Sequence, residues 1–159
     1  MGAFMVKVSI VQPANSTGEL LADYDRSSKI ISVYNPLPRQ WAYTINVDHQ
    51  LTIDLDAQGW VANIDLFAKP RLNHTIVVPY NAKRGAIQCA IPQSGERFIP
   101  NPIVVETDQA RRLIRISLDP TNDPEQGQWL KTSEQVYLQI NADLLRTIVI
   151  DFGTKGLWD

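Results

Sequence analysis

Along most of this chain polar and apolar residues alternate, or apolar ones gather in short β-branched runs, and few stretches keep the three-and-four spacing of an amphipathic helix. The pattern predicts strands from Phe4 to Val11, Glu19 to Tyr24, Lys29 to Tyr34, Ala42 to Val47, Gln50 to Leu55 and Trp60 to Phe67. It predicts six more from Thr75 to Val78, Ala86 to Ile91, Ile103 to Thr107, Arg111 to Leu118, Glu134 to Ile140 and Leu145 to Phe152. The expected fold class is all-β, mainly antiparallel.

The two halves of the chain match one another in ordered blocks. Leu20-Leu21-Ala22-Asp23-Tyr24-Asp25 lies against Ile103-Val104-Val105-Glu106-Thr107-Asp108, and Lys29-Ile30-Ile31-Ser32-Val33 against Arg112-Leu113-Ile114-Arg115-Ile116. Leu51 to Asp56 lies against Val136 to Asn141, and Ile64-Asp65-Leu66 against Ile150-Asp151-Phe152, while Trp41 and Trp129 each follow a Gln before the third block. Four blocks in one order point to two copies of one unit, residues 19–67 and 102–153, within a single domain of 1–159. Each copy reads as a four-stranded meander whose first turn starts at Asp25 or Asp108, since an Asp there accepts backbone N–H groups a few residues on. Such a meander has an apolar face that it cannot cover alone. Two copies bury those faces together, as a sandwich or a barrel with pseudo-two-fold symmetry.

Between the copies, residues 69–101 break the alternation with Pro70, Pro79, Pro92 and Pro100. We read them as an inserted connector with a hairpin of its own, and long insertions of this kind often carry binding residues. His74, Lys83, Arg84 and Arg97 fall within it. A second polar loop spans Pro120 to Gln128.

Composition adds mostly exclusions. With 15 basic and 17 acidic side chains the net charge of −2 sets up no global field for nucleic acid or an anionic membrane. No apolar run is long enough to span a bilayer as a helix, and no signal-peptide or myristoylation pattern opens the chain. Cys89, the only cysteine, allows no intrachain disulfide and suits a reducing compartment, so the expectation is a cytoplasmic protein.

The run Asp23-Tyr24-Asp25, then Lys29 to Val33, then Leu51-Thr52-Ile53-Asp54-Leu55-Asp56-Ala57-Gln58-Gly59-Trp60-Val61-Ala62-Asn63-Ile64-Asp65-Leu66 resembles the small bacterial domain of unknown function twenty-two eighty-three. The resemblance covers about a third of the chain in its first unit. In the second unit only the hydrophobic skeleton is shared, and Leu144 stands where Gly59 would. What the resemblance implies is a fold, with no activity attached.

Several constellations have chemical readings. Asp54, Asp56, Gln58 and Asp65 sit at positions one, three, five and twelve of a calcium-type loop with Gly59 sixth. Strand-like flanks and a terminal Asp in place of Glu favour a hairpin turn with Gly59 at positive φ instead. Asp54 and Asp56 have the same parity, so with His49 nearby they form a candidate acid–base pair for a small hydrolase. Their counterparts are Gln139 and Asn141, which would confine such a site to the first unit. Trp41 and Tyr43 form a candidate platform for a sugar or a protein, with Arg84 and Arg97 as candidate binding cations. Arg111, Arg112, Arg115, Lys83 and Arg84 form the best basic cluster, but neighbouring acids offset it and nucleic-acid binding is not expected. Cys89, between Ile87 and Ile91, reads as an inert core thiol. No cofactor is expected.

The leading expectation is a non-catalytic β domain that binds a protein partner or itself. The rival is a hydrolase or carbohydrate-binding domain that uses Asp54 and Asp56 beside aromatic rings.

Overall fold

The computed structural model describes residues 5–12, 18–119 and 126–153, and it is nearly all β. Its strands are β1 (Val6–Val11), β2 (Leu21–Asp25), β3 (Ile30–Tyr34), β4 (Tyr43–Val47), β5 (Leu51–Leu55) and β6 (Val61–Leu66). The connector contributes β7 (Arg71–Leu72), β8 (Lys83–Arg84), β9 (Ala86–Cys89) and β10 (Glu96–Ile99). The second unit contributes β11 (Val104–Thr107), β12 (Leu113–Ser117), β13 (Gln128–Lys131), β14 (Val136–Asn141) and β15 (Leu144–Asp151). Phe4 and most of the Pro120 to Gln128 loop lie outside the described residues.

Two sheets pack face to face. The smaller has the order β10-β4-β5-β6-β3-β2, and the larger β7-β11-β12-β15-β14-β13-β8, with β1 joining β15 and β9 joining β1. Among the described residues neither closes into a barrel. Alternation explains the arrangement: Ile31, Val33, Ile45, Ile53, Ile64 and Leu66 of one sheet and Ile114, Ile116, Leu130, Leu138, Ile148 and Ile150 of the other belong to one buried cluster. The residues between them face outward.

Within each unit the strand order departs from a simple meander. β3 pairs with β6 and β12 with β15, so the third strand of each unit is carried to the far side of its sheet. The two units nevertheless share one order, β2-β3-β6-β5-β4 and β11-β12-β15-β14-β13, every pair antiparallel. Both carry a register shift at the same place, between Asp54 and Leu55 and between Gln139 and Ile140.

The pairing corrects two of the sequence matches. Ile31 faces Leu66 and Ile114 faces Ile150, so Leu66 corresponds to Ile150 and not to Phe152. Trp129 faces Gln139 as Thr44 faces Asp54, so Trp129 stands at the place of Thr44 and not of Trp41. A period of two looks the same after a shift of two residues, and unequal turns hide the shift. The β5–β6 turn spans Asp56 to Trp60 with Gly59 at φ 91°, whereas β14 and β15 are joined by Ala142 and Asp143, both at positive φ.

The connector forms no hairpin of its own among the described residues. β7 and β8 add in parallel to opposite edges of the larger sheet, beside β11 and β13, and β10 adds in parallel to β4. β9 pairs with β1, and a bridge from Gln88 to Trp60 ties it to the start of β6. Thr75 to Val78 is not a strand. At the edge strand β2, the Ala22 N–H donates to Gln135 Oε1 at 3.0 Å, a side chain from the turn between β13 and β14.

Candidate functional site

Asp56 begins the β5–β6 turn. Its Oδ1 accepts the N–H groups of Gln58 at 2.9 Å and Trp60 at 3.0 Å, and its Oδ2 accepts Arg39 Nη1 at 2.8 Å. Both partners of that ion pair are largely buried. Every oxygen of this carboxylate therefore serves the turn and its neighbouring loop. An added Cβ at Gly59 would lie 2.2 Å from the Cys89 carbonyl oxygen, so the turn packs directly on β9.

Asp54 faces outward from β5 yet is only 5% exposed. Its Oδ1 accepts the Thr44 hydroxyl at 2.7 Å. Burial raises its pKa above the ordinary carboxylate value, and the charge of Asp65 adds to the effect, while hydrogen bonds from Thr44 and Asn63 oppose it. Asp65, on the adjacent β6, accepts the Ser32 hydroxyl at 2.6 Å. Gln58 donates its N–H to Asp56, and its carbonyl accepts a hydrogen bond from Gln88 Nε2 at 2.6 Å. Among the described residues no three His, Cys, Asp or Glu side chains gather as metal ligands.

His49 holds positive φ at the tip of the β4–β5 turn, where its ring lies 4.6 Å from Phe98 and its N–H donates to Asn46 Oδ1. Trp41 precedes β4 and is 61% exposed, whereas Tyr43 is half-buried and packs against the core. Arg84 bonds Glu134 at 2.7 Å on an exposed edge, and Arg97 is half-buried on β10 opposite Ile45. Arg115 pairs with Glu106 at 2.8 Å. Cys89 is buried and its thiol is pushed up to about 12. A shallow recess of about 350 Å³ runs along β1 and β9, lined by Lys7, Ser9, Gln58, Gln88, Ala90 and Ile91 among others; Asp54, Asp56, Trp41 and Tyr43 are not in its walls.

Sequence reasoning missed Arg39 and Asn63, the partners that define the surroundings of Asp56 and Asp54. Arg39 belongs to no motif, and Asn63 lies within the calcium-type segment but at none of its ligand positions. Arg39 is 17 positions from Asp56, and Asn63 reaches Asp54 only through strand pairing.

The surface has a clearer pattern. Of the exposed large apolar side chains, Leu72, Val77, Tyr80, Ile91 and Phe98 all lie in the connector, against Leu37, Trp41 and Phe67 elsewhere among the described residues. Tyr80 is 97% and Val77 73% exposed. The same stretch holds Lys69, Arg71, Lys83, Arg84 and Arg97 but only one acid, Glu96, in a chain whose net charge is negative. No protein-family model matches this chain, and neither does any curated protein.

Proposed function

We propose that this protein acts through its surface, as a non-catalytic β-sandwich that binds a protein partner or itself, with the 69–101 connector as the principal contact. The observation that supports this is the concentration of exposed apolar side chains, interleaved with cations, in one fifth of the chain. The apolar surface of side chains such as Val77 and Tyr80 gains by leaving water for another surface. The carboxylates that a hydrolase would use are engaged differently: Asp56 in its turn and with Arg39, Asp54 with Thr44. The two units, alike in strand order and in the place of their register shift, fit descent by duplication from a unit similar to the small bacterial domain named above. The single buried cysteine fits a cytoplasmic setting.

Affinity capture with the intact protein and with a Val77→Ser, Tyr80→Ser variant tests the reading. Wild type retains a protein, whether a second copy or another chain, that the variant releases. An oligosaccharide-binding or hydrolytic activity that Asp54→Asn abolishes and the connector variant keeps would overturn it.

A further inference from the structure

The outer face of the smaller sheet is anionic, and the segment that links the edges of the larger sheet is flanked by cations. Strand register places Arg71, Glu106, Arg115, Val149, Tyr137, Lys131 and Arg84 in one row across the larger sheet, with Val149 and Tyr137 buried at its centre and Arg71 and Arg84 exposed at its two ends. Arg115 is paired with Glu106, and Arg84 and Lys131 with Glu134, while Asp151 adds an anion in the neighbouring row, so the exposed cations of this side are concentrated at the edges, at Arg71, Lys83 and Arg84. The corresponding row of the smaller sheet is Asp23, Ser32, Asp65, Thr52, Asn46 and Phe98, and its neighbouring row adds Asp54 and Glu96. No Lys or Arg occupies an outward strand position on that sheet. Asp23, Glu96 and Phe98 are exposed. Asp65 helps to raise the Asp54 pKa, as expected where carboxylates neighbour one another without a cation between them.

Residues 73–82 join the two edge strands of the larger sheet, and they carry Val77 and Tyr80. The chain thus holds an apolar segment flanked by exposed cations at the edges of the larger sheet, and on the smaller sheet an anionic face rich in hydroxyl and amide groups. Each complements the other.

We propose that copies of this protein associate head to tail, the Val77–Tyr80 segment and the exposed Arg71, Lys83 and Arg84 that flank it seating on the anionic outer face of the smaller sheet of the next copy. The proposal rests on the surface-binding reading above and narrows its partner to a second copy. Because the two surfaces are different parts of the chain, the contact is heterologous: it leaves a free surface of each kind at the ends and grows into chains where no ring closes it.

Sedimentation velocity on the full chain tests this. Wild type is expected to associate with rising concentration in about 0.05 M salt and to dissociate in about 1 M, where screening reaches only about 3 Å. Two variants separate the surfaces. Asp23→Lys with Glu96→Lys disables the anionic face, and Tyr80→Ser with Lys83→Glu disables the cation-flanked segment. Each alone is expected to remain monomeric, and an equal mixture to form a one-to-one complex, since each supplies the surface that the other lacks; formation of that complex also shows that both are folded. A wild type that stays monomeric at every concentration, a closed dimer, or association indifferent to both variant pairs would overturn the proposal. None of these touches the broader reading, which falls only to the Asp54-dependent activity named above.

Discussion

Asp54 and Gln139 hold the same place in the two sheets. Each faces outward one residue before the register shift, each is almost unexposed, and each is bonded to a threonine hydroxyl on a neighbouring strand, Thr44 in one case and Thr147 in the other. A polar group with its hydrogen bonds made satisfies the position in either chemistry. The carboxylate in the first unit adds only a buried charge.

The sign of the Asp54 shift makes a pH prediction. Its folded pKa is raised, so the native state holds the proton more tightly than the unfolded chain, and this group's contribution to stability declines as pH rises from the unfolded value of 3.8 through the folded one. Asp54→Asn is expected to be more stable than wild type at neutral pH by roughly 1 kcal/mol, the scale of one hydrogen bond. The gain should vanish below the unfolded pKa. Urea titrations at both pH values measure it.

Glu106 carries the opposite sign. Burial raises its pKa, but Arg115, Asn73 and the charge of Arg71 outweigh that and leave it lowered. Its contribution is present above the unfolded value of 4.5 and is lost as pH falls through the folded pKa. Glu106→Gln should therefore cost stability at neutral pH and little in acid, as the same titrations would report.

Arg39 compensates a carboxylate that is almost out of water. Arg39→Ala leaves Asp56 buried without its cation and is expected to cost about 3 kcal/mol, at the low end for breaking a buried pair. Thermal unfolding of this variant beside Arg84→Ala, whose ion pair is exposed and whose loss should cost under about 1 kcal/mol, provides the contrast.

The two kinds of β-hairpin turn predict opposite outcomes at the β5–β6 and β14–β15 hairpins. Gly59→Ala would set a Cβ 2.2 Å from a backbone oxygen at φ 91°, and about 3 kcal/mol of destabilisation is expected. Ala142 already bears a Cβ at φ 54°, so Ala142→Gly should stabilise by about 1 kcal/mol. Differential scanning calorimetry distinguishes the two shifts.

Alternation disclosed the strands and the core because burial selects apolar residues at every second position, and eleven of the fifteen strands overlap expected ones, all but β7, β8, β10 and β13. Pairing was less legible. Nothing in Ile64-Asp65-Leu66 says which strand lies beside it, and a two-residue shift preserves its alternation. The connector was misread for a related reason: β7 and β8 are two residues each and exist only because β11 and β13 offer them an edge. Cys89 was legible as an inert thiol from its apolar neighbours, and its buried position agrees. The anionic outer face of the smaller sheet was not, since it appears only once register brings Asp23, Asp54, Asp65 and Glu96 together from strands that are far apart in the chain.

Hydrogen–deuterium exchange on the intact protein, free and in its associated or partner-bound state, tests most directly whether the protein works through its surface. Amides of the connector around Val77 and Tyr80 should gain protection on association, while those of the Asp56 to Trp60 turn change little. Protection gained instead around Trp41 and Asp54 on adding an oligosaccharide, with the connector unaffected, would contradict the account.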